Sequence, residues 1–417
     1  MYSEGQMKVY FWGTGKGCEK ALQNMIQKDV NILGFIDNNP MLQGKKYHNK
    51  QVISFHDLCD DYDYIVVTVI KYEAVLYQLE KKQVDLEKVI CYYDMEHCNK
   101  GKGDLFDATA WKIDLLEQRI SDLEKNLSIR IGNLGYEIVD KLDKEKYKIP
   151  IVHDGKEAIE QIVSGRKSLI RFGDGEFEIM AGNERPIFQK YQERLAKRLI
   201  DVIQTEDERI LISIANNYGD LDIFTDEVAD AIREYMTESV RAYHNSVLQE
   251  GRVYYDAYMF KSYFPYKDKS RTADRVALIK EIWNQREVVL VEGNQTRTGY
   301  GNDLLDNAAS LQRIICPTKE AFDYYDEILA EVKKVDKNKL ILLVLGPTAK
   351  ILAYDLVQLG YQVVDIGQID MDYEWYIAGR GIRVPIQNKY VSQLPPTEVP
   401  DLKDMAYEEQ IIGRIGV

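Results

Sequence analysis

The chain has 417 residues, 45% of them hydrophobic and 29% charged, and a formal net charge of −14. The length implies two or three globular domains, and the acidity argues against nonspecific nucleic-acid binding, which needs a basic face. Five cysteines (18, 59, 91, 98 and 316) sit at no zinc-like spacing, and their odd number fits no disulfide framework, which points to a reducing compartment.

Residues Met1 to Gly5 carry no basic, apolar signal segment. No run approaches the ~18 apolar residues of a membrane span. The expectation is a cytoplasmic protein with no membrane span.

Residues 1–103 read as a small Rossmann-like domain. Strand-like runs lie at Lys8–Trp12, Ile32–Ile36, Tyr64–Val69 and Lys88–Tyr92. Helical patterns alternate with them, which implies a parallel sheet with right-handed crossovers. Gly13, Gly15 and Gly17 follow the first strand and would turn backbone N–H groups toward an anion. Asp37 ends the second strand, where a ribose-binding acid would sit. Cys18 stands where the full G-x-G-x-x-G fingerprint has its last glycine. The unit is too short for a complete dinucleotide site, so an NAD dehydrogenase is not expected. The stretch resembles the small Rossmann-like domain found on some sugar-modifying enzymes, through its G-F-I-D-type second strand. The alternative is a degenerate unit that serves only for docking. His97 and Cys98 have no partner at ligand spacing and read as structural or exposed.

Residues 104–150 read as a helical connector. Ile113, Leu116, Ile120, Leu123, Leu127 and Leu134 largely follow 3-4 spacing, and Arg130 interrupts the seam. Such a stripe must be buried somewhere. Either residues 110–142 pair with their copy in a coiled-coil-like homodimer, or they pack along a flanking domain; the spacing favours pairing.

Residues 151–417 read as a second α/β domain. Asp154 suits a helix cap. Strands are expected around Leu169–Phe172, Arg209–Ile214, Val288–Val291, Leu340–Leu345 and Gln362–Ile366, with helices at 189–204, 226–236 and 351–359. Polar residues collect after the strand ends, which is where open α/β sheets bind ligands. After Phe172 comes Gly173-Asp-Gly-Glu176. In an extended chain, Asp174 and Glu176 project to one side and repel unless a cation lies between them. A hard ion such as Mn²⁺ or Mg²⁺ shares oxygen ligands with a diphosphate, so both acids read as metal ligands for a nucleotide-diphosphate substrate. The bland reading is an acidic turn. Gly346, Pro347 and Thr348 open a helix and suit phosphate. Arg297, among glycines, can reach a diphosphate bidentately; the alternative is a surface ion pair.

Arg171-Phe-Gly-Asp-Gly-Glu176, Glu292-Gly-(x)₃-Arg297-(x)-Gly299-(x)-Gly-Asn302-Asp303, Gly346-Pro-Thr-Ala349, and Asp365, Gly367, Asp370 and Glu374 together resemble bacterial glycosyltransferases of the GT-D fold type. That family includes enzymes that extend glycans on serine-rich surface adhesins. The resemblance covers roughly residues 150–390. It implies a Rossmann-like catalytic domain, a UDP-sugar donor and a Mn²⁺-dependent D-x-E motif on Asp174 and Glu176. Gln368 stands where the family pattern has histidine.

The expected reaction moves a hexose, glucose as the first expectation, to a hydroxyl of a glycan or glycoprotein. Arg171 and Arg297 would face the leaving group, with Gly173 and Gly299 allowing close approach. Asn302, Thr348 and Asp370 would orient the donor. Glu292, Asp303 and Glu374 are the candidate bases. A metal-dependent phosphoesterase and a noncatalytic nucleotide-sugar scaffold are the rival readings.

Overall fold

The computed structural model describes residues 6–26, 29–94, 105–142, 149–183, 188–392, 394 and 399–417. His97 and Cys98 lie outside them. By its internal contacts the chain divides into two units. The first is Met1–Ser128 with Ile382–Gln387 and Val391–Val399. The second is Ile129–Gly381 with Asn388–Tyr390 and Pro400–Val417. Among the described residues, no helix is long and apolar enough to cross a membrane.

The first unit is built on β1 (Met7–Trp12), β2 (Val30–Ile36), β3 (Lys46–Tyr47), β4 (Lys50–Ile53), β5 (Tyr64–Val67) and β6 (Val89–Cys91). Their order across the sheet is β3-β4-β2-β1-β5-β6. All pairs are parallel except the β3–β4 hairpin. That hairpin turns through His48 and Asn49, both at positive φ, as a two-residue turn between twisted strands requires. Both faces of β1 are buried. Val9 and Phe11 enter one apolar cluster, and Tyr10 and Trp12 the other, because crossovers cover a parallel sheet on both sides.

The helix Ala108–Leu142 is longer than the connector helix read from Ala110. Its residues to Ser128 count with the first unit and the later ones with the second. In the first unit, Trp111 and Leu115 join the cluster of Val9 and Phe11. Asp114 accepts from Tyr92 Oη at 2.8 Å and Asn24 Nδ2 at 2.7 Å. In the second, Asn133 and Tyr136 are buried, and Tyr136 Oη donates to the Asn217 carbonyl at 2.9 Å. The predicted apolar stripe lies on another face and stays exposed.

The second unit carries β7 (Ile151–His153), β8 (Ser168–Phe172), β9 (Ile210–Ile214), β10 (Val253–Asp256), β11 (Glu287–Gly293), β12 (Ser310–Cys316), β13 (Leu340–Val344), β14 (Gln362–Asp365) and β15 (Ile411–Arg414). The sheet runs β15-β12-β11-β13-β14-β8-β9-β10-β7 and is parallel throughout. Strand β8 leads toward β9 on one side, while β14 leads back toward the far edge. The β14/β8 junction is therefore a reversal point, the place where such sheets open a crevice at their carboxyl ends. These two strands meet through Val364 and Leu169.

Candidate active site

The site begins where β8 ends. Gly173 is the N-cap of a helix Asp174–Met180. Glu176, at the third helical position, folds back so that Oε2 accepts the Gly173 N–H at 2.8 Å. This corrects the reading of Asp174 and Glu176 as same-side ligands on an extended chain. On a helix, positions i and i+2 point about 200° apart. Asp174 stays exposed at the rim, with Oδ1 accepting the Gly175 N–H at 3.0 Å. Glu176 turns inward and is 8% exposed.

A lysine already neutralises Glu176. Lys350 Nζ lies 3.2 Å from Glu176 Oε1 and 3.0 Å from Asp365 Oδ2 at the end of β14. Burial alone would lower the ammonium pKa, but the two carboxylates outweigh it and hold Lys350 above its ordinary value. Arg171 belongs to the same buried group. Its Nη2 donates to the Ala257 carbonyl at 2.9 Å, and the guanidinium lies over the Phe260 ring. Burial pulls the Arg171 pKa down, against the pull of Asp365, Glu176 and Asp256. Gly367, at φ +52°, leaves room for this side chain: a Cβ there would meet Arg171 Nη1 at 2.1 Å.

These positions decide how a divalent ion fits. Both Glu176 oxygens are engaged, one by the backbone and one by Lys350. Among the described residues, no group of three or more His, Cys, Asp or Glu converges as a metal site. Asp174 at the rim suits the mode in which an ion takes one or two protein carboxylates and completes its shell with substrate phosphates and water.

The helix Pro347–Gln358 starts after β13. Gly346 is its N-cap at φ +52°, and Pro347 occupies its first turn without wasting a donor. Thr348 is 0% exposed, and its Oγ1 has no hydrogen-bond partner among the described residues. Buried hydroxyls normally find one. An unsatisfied hydroxyl beside the orphan N–H groups of a helix start is suited to an anion.

The loop after β11 is structural where the sequence suggested chemistry. Glu292 is 0% exposed, ion-paired with Arg313, and accepts the Thr298 N–H at 2.8 Å. With its charge paired to Arg313 and its other oxygen on the Thr298 N–H, it is poorly placed to take a proton from an acceptor. Arg297 sits at φ +50° and donates from Nη1 to the Asn388 carbonyl and from Nη2 to the Pro400 carbonyl, both at 2.8 Å. Its guanidinium joins chain segments, in place of the expected phosphate clamp.

Asp370 and Glu374 lie four apart on the helix Ile369–Ile377 and share one face. Asn302 Nδ2 donates to Asp370 at 2.8 Å and to Glu374 at 2.7 Å. Lys389 Nζ lies 2.6 Å from Asp370 and 2.8 Å from Glu374, and the Gly299 N–H donates to Asp370. Asp303 accepts from Tyr373 Oη at 2.5 Å and pairs with Lys280 at 3.0 Å. The tyrosine hydrogen bond, then Lys280, lower its pKa and make it a poor base. Each of the three expected bases is thus held by a cation.

The ends of β9 and β10 carry residues the sequence reading missed. Asp256 closes β10, and its Oδ1 accepts the Tyr258 N–H at 2.9 Å and the Asn216 N–H at 3.4 Å. Burial pushes its carboxyl up to about 6. Tyr258 Oη donates to Asn217 Oδ1 at 3.0 Å. Behind the Asp174–Met180 helix, the His244 ring stacks on Phe177 with centroids 3.8 Å apart. Tyr218 Oη lies 2.6 Å from its Nδ1. Burial and then Arg241 push His244 down to about 4, so it is neutral at pH 7. An acid as the last residue of a strand was the signal for Asp256; the surrounding tyrosines obscured it.

In the first unit, Gly15 is the N-cap of the helix Lys16–Gln23 and faces open space. A Cβ on Gly17 would meet the Thr68 carbonyl at 2.2 Å. Gly17 thus permits the close helix–strand contact that the fingerprint assigns to position 18, where Cys18 is buried. Gly13 takes φ +104°. Asp37 is engaged by Thr14 Oγ1 at 2.8 Å and by the Asn39 N–H at 2.9 Å.

Comparison with known proteins agrees with this layout. Residues 169–394 match the family described as glycosyltransferase GT-D fold, and residues 5–90 match the C2185-like N-terminal family. Glycosyltransferase GlyD of Streptococcus pneumoniae serotype 4 (strain ATCC BAA-334 / TIGR4) is 31% identical over 329 residues, 78% of this chain and 38% of that protein. A probable glycosyl transferase, Gly, of Streptococcus gordonii is 31% identical over 261 residues, 62% of this chain and 38% of that protein. The chain spans well under half the length of these curated relatives. A solved domain of unknown function 1792, described as having a distinct glycosyltransferase fold, superposes with a TM-score of 0.61 at 35% identity, covering 65% of this chain and 98% of that one. A glycosyltransferase from Streptococcus sanguinis does so with a TM-score of 0.61 at 29% identity, covering 64% of this chain and all of that one. With the family match covering more than half of its residues, the chain belongs to the glycosyltransferases of the GT-D fold.

Proposed function

We propose that the chain moves a hexose, glucose first among the candidates, from a UDP-sugar to a hydroxyl of a glycan or glycoprotein acceptor. Family membership supports the reaction class. The observation that carries the donor site is Thr348: a buried, unsatisfied hydroxyl at the start of a helix, on the same sheet edge as Asp174. The donor's diphosphate is proposed to lie there, against the N–H groups of the first turn. Mn²⁺ or Mg²⁺ is the proposed cofactor; Asp174 would hold it, and it would supply positive charge to the departing UDP. Glu176 is assigned to fixing the helix start through Gly173 and Lys350. Gly173, Gly346 and Pro347 shape the rim. Asn302, Asp370 and Glu374 brace it through Lys389.

The bond from the sugar anomeric carbon to UDP breaks as the acceptor oxygen forms its own bond to that carbon. In an inverting transfer a carboxylate takes the acceptor proton. Asp256 is the proposed base. It sits two strands from β8, about 10 Å at the usual strand spacing, and its raised pKa brings it toward the range where a carboxylate is an effective base. The free thiols of Cys18, Cys59 and Cys316 suit action in the reducing cytoplasm.

The test is UDP release from a panel of UDP-sugars, with and without Mn²⁺, followed by linkage analysis of the product. Metal-stimulated release that Asp174→Asn abolishes supports transfer. Tight binding without turnover on suitable acceptors supports a scaffold, and phosphate release from a simple ester supports a phosphoesterase.

A further inference from the structure

The apolar stripe on the Ala108–Leu142 helix has no role in the chemistry above. Ile113, Leu116, Ile120, Leu123 and Leu127 are spaced 3-4-3-4, and each is more than half exposed. Beyond Leu127 the stripe steps four places to Ile131, passes Arg130, and continues through Leu134 to Ile138 at 53–61% exposure. A four-residue step of this kind locally unwinds a supercoil without ending it. The faces that pack within the chain are different ones, at Trp111 and Leu115 and at Asn133 and Tyr136. Within the first unit alone, the exposed stripe from Ile113 to Leu127 runs about 22 Å along the helix, more than a monomer normally leaves to water.

We infer that this stripe is the seam of a parallel, in-register two-stranded coiled coil with a second copy of the chain. The flanking charges select that occupant. With Ile113 and Leu116 at the two core positions of the heptad, Lys112 and Arg119 fall on one flank and Glu117 and Glu124 on the other. All four are exposed. In a parallel pair, each flank residue meets the opposite flank five places on in the other helix. Lys112 then faces Glu117, and Arg119 faces Glu124, on both sides of the seam. An antiparallel pair would bring Glu against Glu and the two basic positions together. Glu117 also reaches Lys20 within its own chain at 2.9 Å. A membrane surface fits less well, because interfacial helices carry mainly Lys and Arg beside the apolar face, whereas acids border this one in equal number.

Sedimentation velocity on the full chain tests the inference. The expected species has twice the 48.3 kDa chain mass. Leu123→Asp, at a site 60% exposed, should give a monomer with an unchanged melting curve. Glu124→Arg and Arg119→Glu should each weaken the dimer at low salt, and mixing the two variants should restore a heterodimer. A wild-type monomer, or a dimer that survives Leu123→Asp, overturns the seam. A dimer that tightens with Glu124→Arg alone overturns the parallel arrangement.

Discussion

Lys350 Nζ lies 3.2 Å from Glu176 Oε1, which ties the first turn of one helix to the D-x-E helix across the β14/β8 reversal point. A family motif read as a metal clamp is here partly an internal ion pair. Removing the lysine takes from the buried Glu176 and Asp365 the cation that lies within 3.2 Å of both. Lys350→Met should therefore cost about 3–5 kcal/mol, as for other broken buried pairs. Urea unfolding checks this, and adding Glu176→Gln and Asp365→Asn to the same chain should recover part of the loss. An unchanged midpoint for Lys350→Met would contradict the assignment.

Glu292 makes the complementary prediction. It is fully buried against Arg313. Glu292→Gln should destabilise by about 3–5 kcal/mol, for the same reason. UDP release per folded molecule should stay near wild type. Loss of turnover with full stability would restore Glu292 as a candidate base.

Asp256 should shape the pH profile. As a base it must be ionised, so transfer should fall below about pH 6, the value to which burial raises it. Stability runs the other way. The folded state holds this proton more tightly than the unfolded chain, whose carboxyl has its ordinary value of 3.8. The native state therefore loses up to about 3 kcal/mol as pH rises from 3.8 to 6. Asp256→Asn should abolish the acidic limb of the rate profile and remove that stability slope. A profile unchanged by the substitution would exclude Asp256 as the base.

His244 contributes with the opposite sign. Its folded pKa of about 4 lies below the ordinary imidazole value of 6.5. As pH falls from 6.5 toward 4, the unfolded chain takes up a proton that the folded protein refuses, and up to about 3 kcal/mol of stability is lost. The variant His244→Asn should flatten this slope, measured as the difference from wild type by denaturant titration at several pH values. An equal slope in both proteins would place the titration elsewhere.

The strands were readable because a parallel sheet buried on both faces is written as short apolar runs. β8, β9, β11, β13 and β14 all follow such runs. β12 was not, since its run begins Ser310-Leu-Gln-Arg313 and its arginine is buried by pairing with Glu292, donating to Gln410 and lying over the Tyr407 ring. Asp154 was legible as a cap, and its side chain accepts the Lys156 N–H. The D-x-E stretch was misread because glycine permits extended backbone and also serves as a helix N-cap; Glu176 bonding back to Gly173 decides for the helix. The roles of Arg297, Asp370 and Glu374 could not be read from spacing. Their partners at Asn388, Pro400 and Lys389 are distant in the chain and meet only in the fold.

The measurement closest to the central claim is a crystal structure with UDP and Mn²⁺ bound. The diphosphate should lie within hydrogen-bond reach of Thr348 Oγ1, with the ion on Asp174 and the Lys350–Glu176 pair intact. A nucleotide lodged away from the β14/β8 edge, or an ion that displaces Lys350 to bind Glu176, would contradict it.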